Sequence, residues 1–472
     1  MASYLVMLQT NSNQPFIFSS PRLREQIGAS FEITLLSHWV TKEVQGLSRR
    51  NRSGKSKRRT DFWVSDSSGK VIVRFTGKEG QPEVLAKKLI TQVTRRALTD
   101  APGLDVTGVF IETSSGPVDP ADLERLDRVF SEFSLNRRPA AARFPQFPFL
   151  QRAEESALPA STPLTDEDER YIRELAKDLG VPLLADRDRE EQIPTQTGKD
   201  KGRSLSLPSR VKRAWSRSAR RLQLEDVVKR QHTSEDPEGS ITDLYEDPFQ
   251  LEKAFQDAPN ESDAPNTVSE LPSVGVIHID GNGVGAIMRD LGKAFKKTNN
   301  TLDKLAKAPY LRKPNPCGKK PPRVRPYGEK HSRFQWFVME VNYRLDGVVK
   351  QAVAKAWDEV TKIARKDKLP GPPVVPVLVG GDDVTVYTDG RYAIPFAEAY
   401  IRHYEDLTKK DSLLSVLATV AGAPKKGPLT ASAGVAIVGR NFPFHIAYDL
   451  AEGLVSRGKK LGKKKGKVPC ST

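Results

Sequence analysis

Two distant parts of this chain read as the same order of elements, and that repetition limits its fold more than any single motif. In the first part, residues 3–8 "SYLVML" form a short apolar strand. Residues 20–44 follow with Leu23, Ile27, Phe31, Leu35 and Trp39 at helical spacing. "DFWVSDSSGKVIVRF" (61–75) is a hairpin with the turn signal "DSSGK". An amphipathic stretch (82–98) and a closing strand (104–112) complete the order β-α-β-β-α-β, a ferredoxin-like unit. From residue 274 the order returns on a larger scale: strand 274–279, helix 333–357, hairpin 374–389, helix 393–407 and strand 429–438, then a further helix at 443–458. Phe334, Val338, Val341, Leu345 and Val348 give the first of these helices its apolar face. A repeat of this kind points to duplication of one unit.

Between the copies the periodic pattern fades. Residues 136–272 alternate Pro- and Ala-rich segments with acidic, turn-rich ones, and carry one helical patch at 166–180. They read as a partly disordered connector. The expected layout is a first palm-like domain (1–135), the connector (136–272), a second palm domain (273–460) and a basic tail (461–472). The fold class is α+β. A length of 472 residues fits more than one core.

The formal charge is +16, concentrated in four runs at 48–59, 209–221, 311–326 and 456–467. Any one of them can be a solvated loop, but four together favour a phosphate-bearing substrate or partner, RNA included. No stretch reaches the roughly 20 apolar residues that span a bilayer, and the N-terminus lacks a signal-peptide pattern. The two cysteines, Cys317 and Cys470, build neither a disulfide framework nor a zinc site. The cytoplasm is the expected compartment.

The second unit carries the chemistry. Its first strand ends in "DGNGVG", and its hairpin turns through "VGGDDVTVY" (379–387). In this topology the first strand lies beside the hairpin, so Asp280 is expected to face Asp382 and Asp383 from about 100 residues away. Three converging carboxylates repel unless cations sit among them, and hard oxygen donors select Mg²⁺ or Mn²⁺. Gly380 and Gly381 suit a tight hairpin. Gly281, Gly283 and Gly285 leave backbone free to approach a phosphate. Two-metal phosphoryl or nucleotidyl transfer is the chemistry such a trio serves. Taken alone, "GGDD" is also a good turn sequence and "DGNG" an Asx-turn or calcium loop; their placement at two adjacent strand ends favours the metal reading. The first unit lacks both features, since its turn is "DSSGK" and its first strand ends "QTNSNQ". It is expected to be structural or to wall a substrate cleft.

"VGVIHIDGNGVG", "VLVGGDDVTVY" and "LTASAGVAIVGRNFPFHIAYDLAEGL", in that order, resemble the second palm domain of the large subunit of type III CRISPR effector complexes. "FIFSSPRLREQIGAS" is similar to the start of the first palm in the same group. The resemblance covers residues 1–115 and 274–460. It implies an RRM-like palm that converts ATP into cyclic oligoadenylate with two Mg²⁺ or Mn²⁺ ions, working with other defence-system subunits. It places metal on Asp280, Asp382 and Asp383, and nucleotide near Gly281, Asn282, Gly283, Gly380, Gly381, Ser432, Gly434, Lys459 and Lys460. The chain departs from the family in having no His-Asp dipeptide for an HD nuclease and no cysteine zinc motif between the palms. A reduced relative is the expectation. Two alternatives stay open: an RNA-binding scaffold without turnover, and a cyclase that uses another NTP. The histidines, His278, His403 and His445 among them, form no metal-binding spacing.

Overall fold

The computed structural model of the chain describes residues 2–50, 63–67, 69–136, 147–179, 198–228, 273–307, 333–367, 374–423, 425–439 and 442–465. The basic residues of 51–59 and 311–326, the end of the tail, both cysteines and the acidic part of the connector lie outside the described residues.

Among the described residues, eight strands make two four-stranded sheets of the same topology, ordered β2-β3-β1-β4 and β6-β7-β5-β8, with every neighbour antiparallel. The first holds β1 (Ala2–Asn11), β2 (Trp63–Ser67), β3 (Lys70–Gly77) and β4 (Asp105–Thr113). The second holds β5 (Ser273–Gly281), β6 (Val374–Gly380), β7 (Asp383–Asp389) and β8 (Ala431–Gly439). With helices Leu23–Arg50 and Gln81–Asp100 in the first copy, and Arg333–Lys366 and Ala393–Lys410 in the second, the protein is an α+β fold of two ferredoxin-like units.

Period-two alternation along the strands gives each sheet two apolar faces, and the units share the task of covering them. Leu5, Met7, Val64 and Ile72 of the first sheet belong to one core with Ile277, Ile279, Val384 and Val386 of the second, and the Arg333–Lys366 helix supplies the filling between them. Gln335 Nε2 of that helix donates to the Trp63 carbonyl, and Asn342 Nδ2 donates to Ser65 Oγ at 2.9 Å. The opposite faces, with Val6, Leu8, Val71 and Val73 in one sheet and Val274, Val276, Val375 and Tyr387 in the other, share a second core with the Leu23–Arg50 helix. There Tyr387 OH donates to Gln26 Oε1 at 2.8 Å. Each buried Val, Leu, Ile or Phe contributes about 1.5–3 kcal/mol, so neither sheet is finished without the other unit's long helix.

The second basic run is where the structure departs most from the sequence reading. Residues 209–221 lie on a helix, Leu207–Val228, packed against Leu23–Arg50, with Arg210, Lys212 and Arg213 buried. Gly28 permits the approach: a Cβ there would stand 2.0 Å from the Lys212 carbonyl oxygen. Arg213 donates to Glu25 at 2.6 Å, to Asp200 at 2.9 Å and to Glu155 at 2.6 Å. Lys212 Nζ donates to the Phe16 carbonyl at 2.8 Å and to Ser19 Oγ at 3.1 Å. These cations hold connector to first unit, so they do not face a polyanion. Charge counting missed this because the paired acids are distant in sequence.

Among the further helices that the sequence reading did not include, two are long. Pro120–Leu135 is opened by a capping box between Asp119 and Asp122. Leu291–Lys307 lies between β5 and the Arg333–Lys366 helix; Ala294, Thr298 and Leu302 form its buried stripe. No helix among the described residues is long and apolar enough to cross a membrane.

Candidate functional site

The second sheet brings its acidic segments together through register. β5 runs between β7 and β8, and its last residues pair Asp280 with Asp383 on one side and with Ser432 on the other. Asp382 ends the turn that Gly381 opens at φ 65°, and its carbonyl accepts from the Gly281 amide at 3.2 Å. Asp280, Asp382 and Asp383 therefore share one end of the sheet, as expected. Burial, then the charges of Asp382 and Asp280, push the Asp383 carboxyl up to about 7. Asp382 is raised as well, by burial first and by Asp280 second. These shifts record the repulsion that like charges impose in a poorly solvated site.

A cation is already present among them. Lys459 Nζ, from the last helix (Phe444–Lys465), donates to Asp280 Oδ2 in a short ion pair, and its charge favours ionised Asp382 and Asp383. Among the described residues no three His, Cys, Asp or Glu side chains already form a metal-holding group. The donor set nonetheless fits a hard divalent ion: it is all carboxylate oxygen, and burial followed by like charge raises two of its members, a cost that a divalent ion would offset.

The other residues singled out in the sequence divide by what they touch. Asn282 Nδ2 donates to Thr430 Oγ1 at 3.1 Å, and its Oδ1 accepts from Ser432 Oγ at 2.9 Å, so the two side chains tie β5 to β8. The space over Gly281 is taken by Val284, Asp382 and Tyr404, that over Gly283 by Ala421, and a Cβ on Gly434 would stand 2.0 Å from the Ala451 carbonyl oxygen. At these three positions the missing side chain serves close packing. Gly285 and Gly381 face open space, and with Gly380 and Asp382 they line a cavity of about 700 Å³. The far wall of that cleft belongs to the first unit: Ser65, Asp66 and Lys70 from its hairpin. Lys460 is exposed. His278 is buried against Thr385 Oγ1 at 3.2 Å, and burial lowers it to about 4, which leaves it neutral.

Two buried phenols beside the trio had no signal in the sequence. Tyr404 and Tyr448 stand on amphipathic helices, where an aromatic residue reads as core. Tyr404 OH lies over Gly281 next to Asp382, and burial first, then the carboxylates of Asp382 and Asp280, push its pKa above the ordinary value and keep the phenol protonated. Tyr448 stacks on Phe18 of the first unit, 3.9 Å between ring centroids.

No family model matches the chain, and no curated protein matches it. Among solved structures it is similar to the apo Csm1-Csm4 cassette, at 12% identity over 99% of this chain and 53% of that one, with a TM-score of 0.47. It is similar to the same cassette in complex with one ATP, at 11% identity over 99% and 54% of the two chains, TM-score 0.48. A type III-B Cmr-beta complex in its apo state matches at 12% identity over 97% and 67%, TM-score 0.44. The chain spans about half the length of the cassette chains.

Proposed function

We propose that this protein is a metal-dependent nucleotidyltransferase, forming phosphodiester bonds between nucleotides at the end of the second sheet. The observation that carries the reading is the register that sets Asp280 opposite Asp383, with Asp382 beside them at the mouth of the inter-unit cleft. Asp280, Asp382 and Asp383 would hold the ions. Two Mg²⁺ or Mn²⁺ ions bound there would acidify an attacking 3′-hydroxyl and stabilise a leaving pyrophosphate. Gly285, Gly380 and Gly381 leave room beside Asp382 for phosphates, and the first unit's hairpin bounds the space for a second nucleotide. The 3′-oxygen forms its bond to the α-phosphorus as the bond to the pyrophosphate oxygen breaks. ATP as substrate, cyclic oligoadenylate as product and membership of a type III CRISPR-type assembly follow from the motif resemblance.

The test is incubation with each NTP and Mn²⁺ or Mg²⁺, reading products by mass spectrometry. Linear or cyclic oligonucleotides that vanish in Asp382→Ala/Asp383→Ala are expected, and the productive NTP names the base. Product formation unchanged in that variant sinks the site.

A second reading, a scaffold that binds RNA without turnover, draws on one observation: Lys459 already neutralises Asp280. It predicts no product and an RNA affinity that falls steeply with salt.

A further inference from the structure

We infer that Lys459 is the resident counter-cation of the carboxylate trio and must be displaced by the incoming metal, so that the last helix sets how tightly the site takes divalent ions. The inference rests on the metal reading above and adds a competitor to it.

Packing fixes where the ammonium sits. Phe444, Ala447, Tyr448, Ala451 and Val455 are buried on the Phe444–Lys465 helix, and Gly434 lets that helix lie directly on β8. One turn beyond Val455 the helix delivers Lys459 to Asp280, whose backbone is held between Asp383 and Ser432. The charge of the same ammonium also reaches Asp382, Asp383 and His278. The side chains of Lys459 and Asp280 are 27% and 29% exposed, so water and a hydrated ion can reach the pair.

The charges then dictate an order. Once all three carboxylates are ionised, as ligation requires, they and one ammonium carry a net double negative charge, which one divalent ion cancels. A second ion meets no remaining attraction unless the ammonium withdraws. Lysine suits that exchange, being a compact charge on a flexible four-carbon stem with donors and no acceptor. Withdrawn from Asp280, it is free to meet the triphosphate that arrives with the second ion.

The experiment is a Mn²⁺ titration of nucleotide-free protein, following free aqua-Mn²⁺ by electron paramagnetic resonance. The proteins are wild type, Lys459→Met, Lys459→Arg and Asp280→Asn, each checked by circular dichroism. Lys459→Met should bind Mn²⁺ about tenfold more tightly, as expected for removal of one charge at contact distance from the ligands. Lys459→Arg should stay near wild type and Asp280→Asn should weaken binding. Lys459→Gln provides a second neutral variant if Met disturbs the packing. Equal or weaker Mn²⁺ affinity in the neutral variants, with wild type binding normally, overturns the displacement and leaves the metal site standing. No Mn²⁺ bound by wild type or by the neutral variants overturns both.

Discussion

At the position where the second unit sets Asp280 opposite Asp383, the first sets Gln9 opposite Lys70. The neighbouring backbone bond is the same in both: the Thr10 amide donates to the Gly69 carbonyl at 2.8 Å, and the Gly281 amide to the Asp382 carbonyl at 3.2 Å. The partner on the fourth strand also matches, Thr107 for Gln9 and Ser432 for Asp280. One scaffold thus presents a neutral amide and a cation in one copy and two anions in the other. Lys70 pairs with Asp127 at 2.7 Å, while the anions of the second unit pair with Lys459. The backbone creates the opportunity for a site; a handful of side chains decides whether it exists.

Variants can push this contrast to failure. The largest effect is expected on turnover: Asp382→Ala/Asp383→Ala should lower product at least about 1,000-fold with thermal stability unchanged or raised, because burial and repulsion disfavour these carboxylates in the fold. A marked loss of stability would mean that the second unit's acids are structural. The first unit should behave oppositely. Arg213→Met removes the ion pair of buried Glu25 and takes one cation from Asp200, which keeps Arg24, and from Glu155, which keeps Arg22 and Arg203, so denaturant titration should show a loss of about 3–5 kcal/mol. Next come the close approaches. Gly28→Ala in the first unit and Gly434→Ala in the second each place a methyl 2.0 Å from a carbonyl oxygen and should cost about 1–3 kcal/mol; a neutral result at either would show that the helix there can slide.

The smallest effect is a gain. Glu32 is fully buried, neither of its carboxyl oxygens has a hydrogen-bond partner, and burial raises it well above its ordinary value of 4.5. The folded state therefore holds this proton more tightly than the unfolded chain. Its contribution is complete below about pH 4.5 and fades as pH rises toward the folded value. Glu32→Gln should match wild type near pH 4 and exceed it by about 1–3 kcal/mol at pH 8. A gain that does not vary with pH would point to packing and not to ionisation.

Legibility followed the range of the physics. Strand alternation, helical spacing and turn glycines act over a few residues, so both β-α-β-β-α-β orders could be read, hairpins included. "DGNG" and "GGDD" were visible as strand ends, and the topology alone placed them side by side. The packing duties of Gly281, Gly283 and Gly434 were not visible, because what fills the space over a glycine comes from another element. Nor was the fate of the second basic run, whose partners Glu25, Glu155 and Asp200 belong to three separate segments.

What the sequence determined by itself is the order of elements and the residues at the strand ends, since both rest on local conformational preference and on a pattern of apolar spacing. What only the tertiary structure decided is which charges meet. The tertiary packing buried one cluster of cations against acids of the first unit and the connector, shared each unit's long helix between two sheets, and carried Lys459 from near the end of the chain to Asp280. Ion pairs and close contacts form between groups that are neighbours in space, and spatial neighbourhood is fixed only when the separate apolar faces have found one another.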